Sequence, residues 1–170
     1  MKKLLSGCIF GLCLMLSCSQ PEKIGVIQSG EIWPDDKGVH INAHGGGILF
    51  YDDTYYWYGE HKADSTSAAM VGIMCYSSKN LSDWKNEGVV LPVEKNDTTS
   101  DLIQGCVMER PKVIYNQKTK KFVMWFHLEL KGQGYTAARS AVAVSDSPTG
   151  PFKYLKSLRP NAGRLPFDMT

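Results

Sequence analysis

The chain writes one pattern twice. GGGILFYDDTYYWYGEHK (45–62) followed by IMCYSSKNLSDWK (73–85) is answered about 65 residues later by RPKVIYNQKTKKFVMWFHLE (110–129) and VAVSDSPTGPFK (142–153). Each copy holds an apolar strand, a polar turn, an aromatic-rich strand and a third strand. Each then closes on a matching tail, SKNLSDWK (78–85) in one and DSPTGPFK (146–153) in the other. A repeat of this length built from about four short strands is the signature of a propeller blade. One such unit cannot bury its apolar face alone, so function has to be read from the array. The expected fold is all-β: about two four-stranded blades of a partial β-propeller and the start of a third, over 41–170.

Within the first copy, Ile48 to Tyr51 is a continuous apolar run, read as a strand buried on both faces. Asp52, Asp53 and Thr54 form its hairpin turn, and residues 55–58 return. Residues 70–76 make the third strand and 89–91 a short outer one ending at Pro92. Residues 94–101 (EKNDTTSD) are a polar loop between blades. In the second copy 113–115 and 122–127 flank a turn at 117–121, and 141–144 is the third strand. Residues 164–170 open a third copy. At this repeat length a ring of four to eight blades needs more chain than 170 residues, so the expectation is a truncated piece of a longer protein. A complete small β domain with another closure is the alternative.

The N-terminus has a different character. Lys2 and Lys3 precede an apolar run at 4–16, about 13 residues against the roughly 20 of a spanning helix. Ser17-Cys18 closes it, which resembles a bacterial lipoprotein signal. Residues 1–17 are then a signal peptide, Cys18 the lipidation site, and 18–40 a tether and leader. The implied location is the bacterial cell envelope, lipid-anchored, on the periplasmic or outer-membrane side. An ordinary secretory signal is the alternative.

Without Lys2 and Lys3 the basic count falls from 19 to 17, equal to the 17 acids. No basic run exceeds Lys120-Lys121, so nothing suggests a nucleic-acid partner. Cys75 and Cys106 sit among apolar residues and are read as two buried free thiols rather than a disulfide. There is no C-x-x-C and no zinc spacing.

In a propeller the innermost strand of each blade starts at the mouth of the central channel, and the residues just before those strands converge there. Three such places present His44, Glu109 with Arg110, and Asp168. Two carboxylates, a His and an Arg around one axial pocket suit a glycosidase floor. The plainer possibility is structural: Glu109-Arg110 as a rim ion pair, and His44 packed beside a glycine triplet that must approach another backbone. Trp57 and Trp125 lie at strand spacing and are read as core, with stacking on a sugar ring as the alternative; His61 and His127 are read as structural.

These motifs also carry a family resemblance. HGGGILFYDDTYYWYGEHK, YSSKNLSDW, ERPKVIYN, SDSPTGPF and the terminal DMT resemble glycoside hydrolase family 43 and its five-bladed β-propeller clan, closest to the exo-β-1,3-galactanase-like branch. The resemblance covers residues 40–170. It implies inverting hydrolysis of a glycosidic bond in plant-type polysaccharide, with an oligo- or polysaccharide as the partner. It makes Asp168 and Glu109 the candidate catalytic carboxylates, Asp168 tuning the acid's pKa and Glu109 contacting the sugar in the cleft. His44, Glu60, Arg110 and Tyr135 become candidate substrate-binding residues. The first-blade position that usually carries the water-activating Asp reads Ala43-His44-Gly45, a departure that the galactanase-like branch shares. The general acid would lie beyond Thr170, so the chain is expected to be inactive alone. No cofactor is implied. Many clan members hold a cation on the propeller axis, but no oxygen-rich loop here demands a metal. A non-catalytic glycan-binding propeller lipoprotein is the rival reading, and a structural β-repeat module is a third.

Overall fold

The structure, a computed structural model, describes residues 25–64 and 69–160. These form two antiparallel four-stranded sheets, each a meander in which sequence neighbours are also sheet neighbours. The first holds β1 (His44–Tyr51), β2 (Thr54–Lys62), β3 (Met70–Ser78) and β4 (Lys85–Pro92). The second holds β5 (Val107–Asn116), β6 (Lys121–Glu129), β7 (Arg139–Ser145) and β8 (Lys153–Leu158). No α-helix occurs among the described residues. The chain is thus all-β, with two adjacent blades of a β-propeller.

Local chemistry explains the hairpins. Asp52 and Asp53 both take positive φ, at 49° and 52°, which is the two-residue turn whose twist matches paired strands. Asn116 closes the corresponding turn of the second blade by accepting the Lys118 and Thr119 amides, at 3.0 and 3.1 Å.

The blades pack face to face, with β5 lying against β1, β2 and β3. Strand alternation sorts the side chains. Along β6, Phe122, Met124, Phe126 and Leu128 point into the shared core, where they meet Tyr58, Ile73, Cys75 and Leu91 of the first blade. Polar links lock the two blades together. Tyr58 donates its hydroxyl to the Pro148 carbonyl at 2.7 Å, and Lys112 reaches the Gly46 carbonyl at 2.6 Å. In the inter-blade loop, Asp101 accepts from Tyr154 and Ser157 of β8, at 2.6 and 2.7 Å.

Two expectations change. Ile48 and Phe50 of β1 are exposed, so that strand is buried on one face, not both. Trp125 is 46% exposed on the face of the second blade turned away from the first, so it is not part of the core. Trp57 is, in a cluster with Trp33, Tyr76 and Trp84. Trp33 brings the leader into that cluster, since Ile41 and Ala43 also pack there and the Trp33 indole donates to the Ser82 carbonyl at 2.9 Å. Cys75 and Cys106 are buried free thiols, and burial pushes both thiol pKa values up, Cys106 to about 11.

Candidate functional site

Both inner strands begin with the same irregularity. The β1–β2 register slips by one residue between His44 and Gly47, and the β5–β6 register slips between Glu109 and Lys112. In each bulge the residue after the slip takes a left-handed backbone: Gly45 at φ 59° and Arg110 at φ 52°. Glycine accepts that conformation freely, whereas for arginine it is strained, and such outliers cluster at functional sites. Close approach fixes the next glycine. A Cβ on Gly46 would stand 2.2 Å from the Tyr58 carbonyl oxygen. Bulges re-aim side chains at strand ends. Here they set His44 opposite Glu60 and Glu109 opposite His127.

The side chains at these two rungs join into one network. Glu60 is 2% exposed. One of its oxygens, Oε1, pairs with His44 Nδ1, and the other, Oε2, stands 3.2 Å from Lys62 Nζ, an ion-pair contact whose angle makes no hydrogen bond. Lys62 Nζ also stands 4.0 Å from Glu109 Oε1, so a single ammonium links the carboxylates of the two blades. Tyr135 donates its hydroxyl to Glu109 Oε1 at 2.5 Å. That hydrogen bond, with burial behind it, pushes the phenol up to about 12. Across the rung, His127 meets Glu129 at 2.7 Å and stacks on the Tyr135 ring.

Of the residues singled out from the sequence, His44, Glu60, Glu109 and Tyr135 thus come together. Arg110 lies beside them, its Cγ 3.5 Å from where a Gly45 Cβ would be. It makes no ion pair with Glu109, so the rim-pair alternative fails. Asp168 and Cys18 lie outside the described residues. Lys62, Glu129 and His127 were missed. His127, read from the sequence as structural, sits in the network because it faces Glu109. His61 is different: it carries an unpartnered buried Nδ1, and burial lowers its pKa. Among the described residues no group of His, Cys, Asp or Glu is arranged to hold a metal ion.

The arrangement offers a largely buried floor of two carboxylates that share one cation, Lys62. An exposed imidazole and guanidinium stand at its rim, and an exposed tyrosine ring lies beside it. The Glu109 carboxylate, 15% exposed, is a strong acceptor for hydroxyl donors, and an aromatic face suits the apolar face of a pyranose. Glu60, expected from the sequence to touch the ligand itself, is 2% exposed and instead backs the floor through His44 and Lys62.

No family model matches the chain, and neither does any curated protein. Solved structures do. A family 43 β-1,3-galactosidase solved with galactodeoxynojirimycin matches with a TM-score of 0.73 and 56% identity, over 85% of this chain and 41% of that one. An exo-β-1,3-galactanase from Clostridium thermocellum matches with a TM-score of 0.69 and 45% identity, over 79% of this chain and 28% of that one. The exo-β-1,3-galactanase from Phanerochaete chrysosporium, solved with β-1,3-galactotriose, matches with a TM-score of 0.71 and 38% identity, over 79% of this chain and 30% of that one. The chain therefore spans less than half the length of each of these relatives.

Proposed function

The chain belongs to glycoside hydrolase family 43, and we propose on that footing that it serves the inverting hydrolysis of β-1,3-linked galactosyl bonds in plant-type polysaccharide. The observation that carries this is the paired carboxylates of Glu60 and Glu109, held from two blades by one lysine and flanked by Tyr135. In this reading Glu109 accepts from the hydroxyls of a terminal galactose, His44 and Arg110 contact them from the rim, Glu60 holds His44 and Lys62 from behind, and Tyr135 covers a face of the ring. Asp168 is assigned the tuning of the general acid. Inversion needs a carboxylic acid on one side of the bond and a base holding water on the other, about 6.5–9.5 Å apart. Glu60 is engaged by His44 and Lys62, and Glu109 by Tyr135 and Lys62, so neither is assigned the proton donor. The same reading sets the protein in the bacterial envelope, tethered by lipid on Cys18.

Calorimetric titration of galactose into Glu109→Gln and Glu94→Gln variants tests the site. Loss of a charge-assisted hydrogen bond costs about 1.5–3 kcal/mol, so Glu109→Gln is expected to weaken binding by at least tenfold. Glu94 lies in the exposed inter-blade loop, and its substitution is expected to leave affinity unchanged. Equal affinities for the two variants would overturn the placement of sugar at this floor.

A further inference from the structure

Behind the sugar-facing residues lies a carboxylate to which the reading above gives no role. Glu129 ends β6 and is 1% exposed. Its Oε1 meets His127 Nε2 at 2.7 Å, and its two oxygens accept the Ala138 amide at 3.2 and 3.0 Å. His127 in turn stacks on the Tyr135 ring, with centroids 6.2 Å apart and planes 30° from parallel. The phenol then donates to Glu109. A continuous set of contacts therefore runs from a buried anion to the carboxylate of the floor.

Tyr135 needs such support. It is 56% exposed, in a loop where Gly132 and Gly134 take φ of 76° and 56° and Ala138 takes φ of 45°. A loop with little buried surface of its own opens readily unless it is anchored. Glu129 grips it at Ala138, and His127 lies under the tyrosine ring. The first blade repeats the logic with the signs reversed. Glu60 is backed two residues along its strand by Lys62, as His127 is backed two residues along by Glu129. A spacing of two puts backing and backed residues on one face of a strand.

We propose that Glu129 is a positioning residue: through His127 and the Ala138 amide it fixes Tyr135, whose hydroxyl aims Glu109 at the bound sugar. This rests on the sugar-binding reading of Glu109 and deepens it. Galactose titration into the full chain tests it by a double-mutant cycle. Glu129→Gln is expected to weaken binding at least fivefold in the native background and less than twofold in a Tyr135→Phe background. His127→Gln, at a half-buried position, is expected to show the same pattern and serves if Glu129→Gln fails to fold. Equal fold-losses in both backgrounds would overturn the proposal, because a merely structural carboxylate acts independently of Tyr135. Absence of galactose binding by the unaltered chain would sink the sugar reading instead. Positioning is then read from the ring-carbon NMR signal of Tyr135 in ζ-13C-tyrosine-labelled protein. That signal is expected to move in His127→Gln as it does in Glu109→Gln, and an unmoved signal would overturn the proposal.

Discussion

Replacing Lys62 by methionine isolates the electrostatics of the floor. The ammonium lies 3.2 Å from Glu60 and 4.0 Å from Glu109, and it is 26% exposed. At an effective dielectric of about 20, the nearer contact alone has a gross attraction of about 5 kcal/mol. The net loss is smaller, because methionine avoids the cost of desolvating the ammonium and the contact to Glu60 lacks hydrogen-bond geometry. Breaking a buried pair by removing one partner costs about 3–5 kcal/mol. With a quarter of Lys62 in water and His44 still on the other oxygen, about 2 kcal/mol is the expected destabilisation. For a urea slope of about 2 kcal/mol/M, the midpoint falls by about 1 M. Most of that cost is the stranded charge on Glu60, not the lost attraction. The double variant Glu60→Gln/Lys62→Met is therefore expected to recover about 1 kcal/mol over Lys62→Met alone. Urea titrations followed by tryptophan fluorescence read both values. A double variant no more stable than the single one would show that Glu60 is not a buried anion dependent on Lys62.

Further outcomes follow from the same contacts. Burial raises the Asp101 carboxyl, but hydrogen bonds from Tyr154 and Ser157, with Arg139 nearby, outweigh it and hold the pKa below the usual range. Its contribution is therefore present above the unfolded carboxylate range and lost as pH falls through the lower folded value. Asp101→Asn is expected to destabilise at pH 7, with the gap to the unaltered chain closing in thermal melts as the pH falls below the usual carboxylate range of about 4. At the bulges, Gly45→Ala is expected to cost about 1 kcal/mol, since alanine at φ 59° is strained, whereas Arg110→Gly relieves that strain and is expected to leave the melting temperature unchanged or raise it. Equal losses at the two positions would refute the left-handed assignment. Mass spectrometry of protein from a bacterial host is expected to find lipid on Cys18, two acyl-type signals being needed for stable anchoring; a free N-terminus elsewhere in soluble protein would contradict it. Residues 19–170 alone are expected to release no galactose from β-1,3-galactan, and turnover abolished by Glu109→Gln would show that this floor supplies the acid after all.

The blades and their order were legible in the sequence because the duplicated pattern marks its own boundaries and the Asp52-Asp53 turn fixes a register. Following that register back from Tyr51 and Thr54, with no slip, would set His44 opposite His61. In the second blade the same procedure would set Glu109 opposite Leu128. The bulges at Gly45 and Arg110 shift each pairing by one, to Glu60 and His127. A one-residue slip moves a side chain to the other face of the sheet, so His127 read from the sequence as structural and Lys62 and Glu129 drew no notice. The signals that could have found them were the glycine triplet and the Arg110-Pro111 pair, both of which interrupt a strand where a bulge is wanted. Trp125 was misjudged for another reason. Strand periodicity tells which residues share a face but not which face meets a neighbouring blade.

The exchanged rungs bear on how repeats of this kind are compared. Aligned position by position, the two copies disagree where chemistry matters most, since His44 falls on Glu109 and Glu60 on His127. Taken across the strands, each copy carries the same set of one imidazole and one carboxylate, transposed. Drift can therefore relocate a side chain to the opposite strand without altering what the cleft contains. A column-wise score counts two differences where the cleft has lost nothing. What the two blades of this chain share at this level is the content of the cross-strand pair, one imidazole and one carboxylate, and not the strand that carries each.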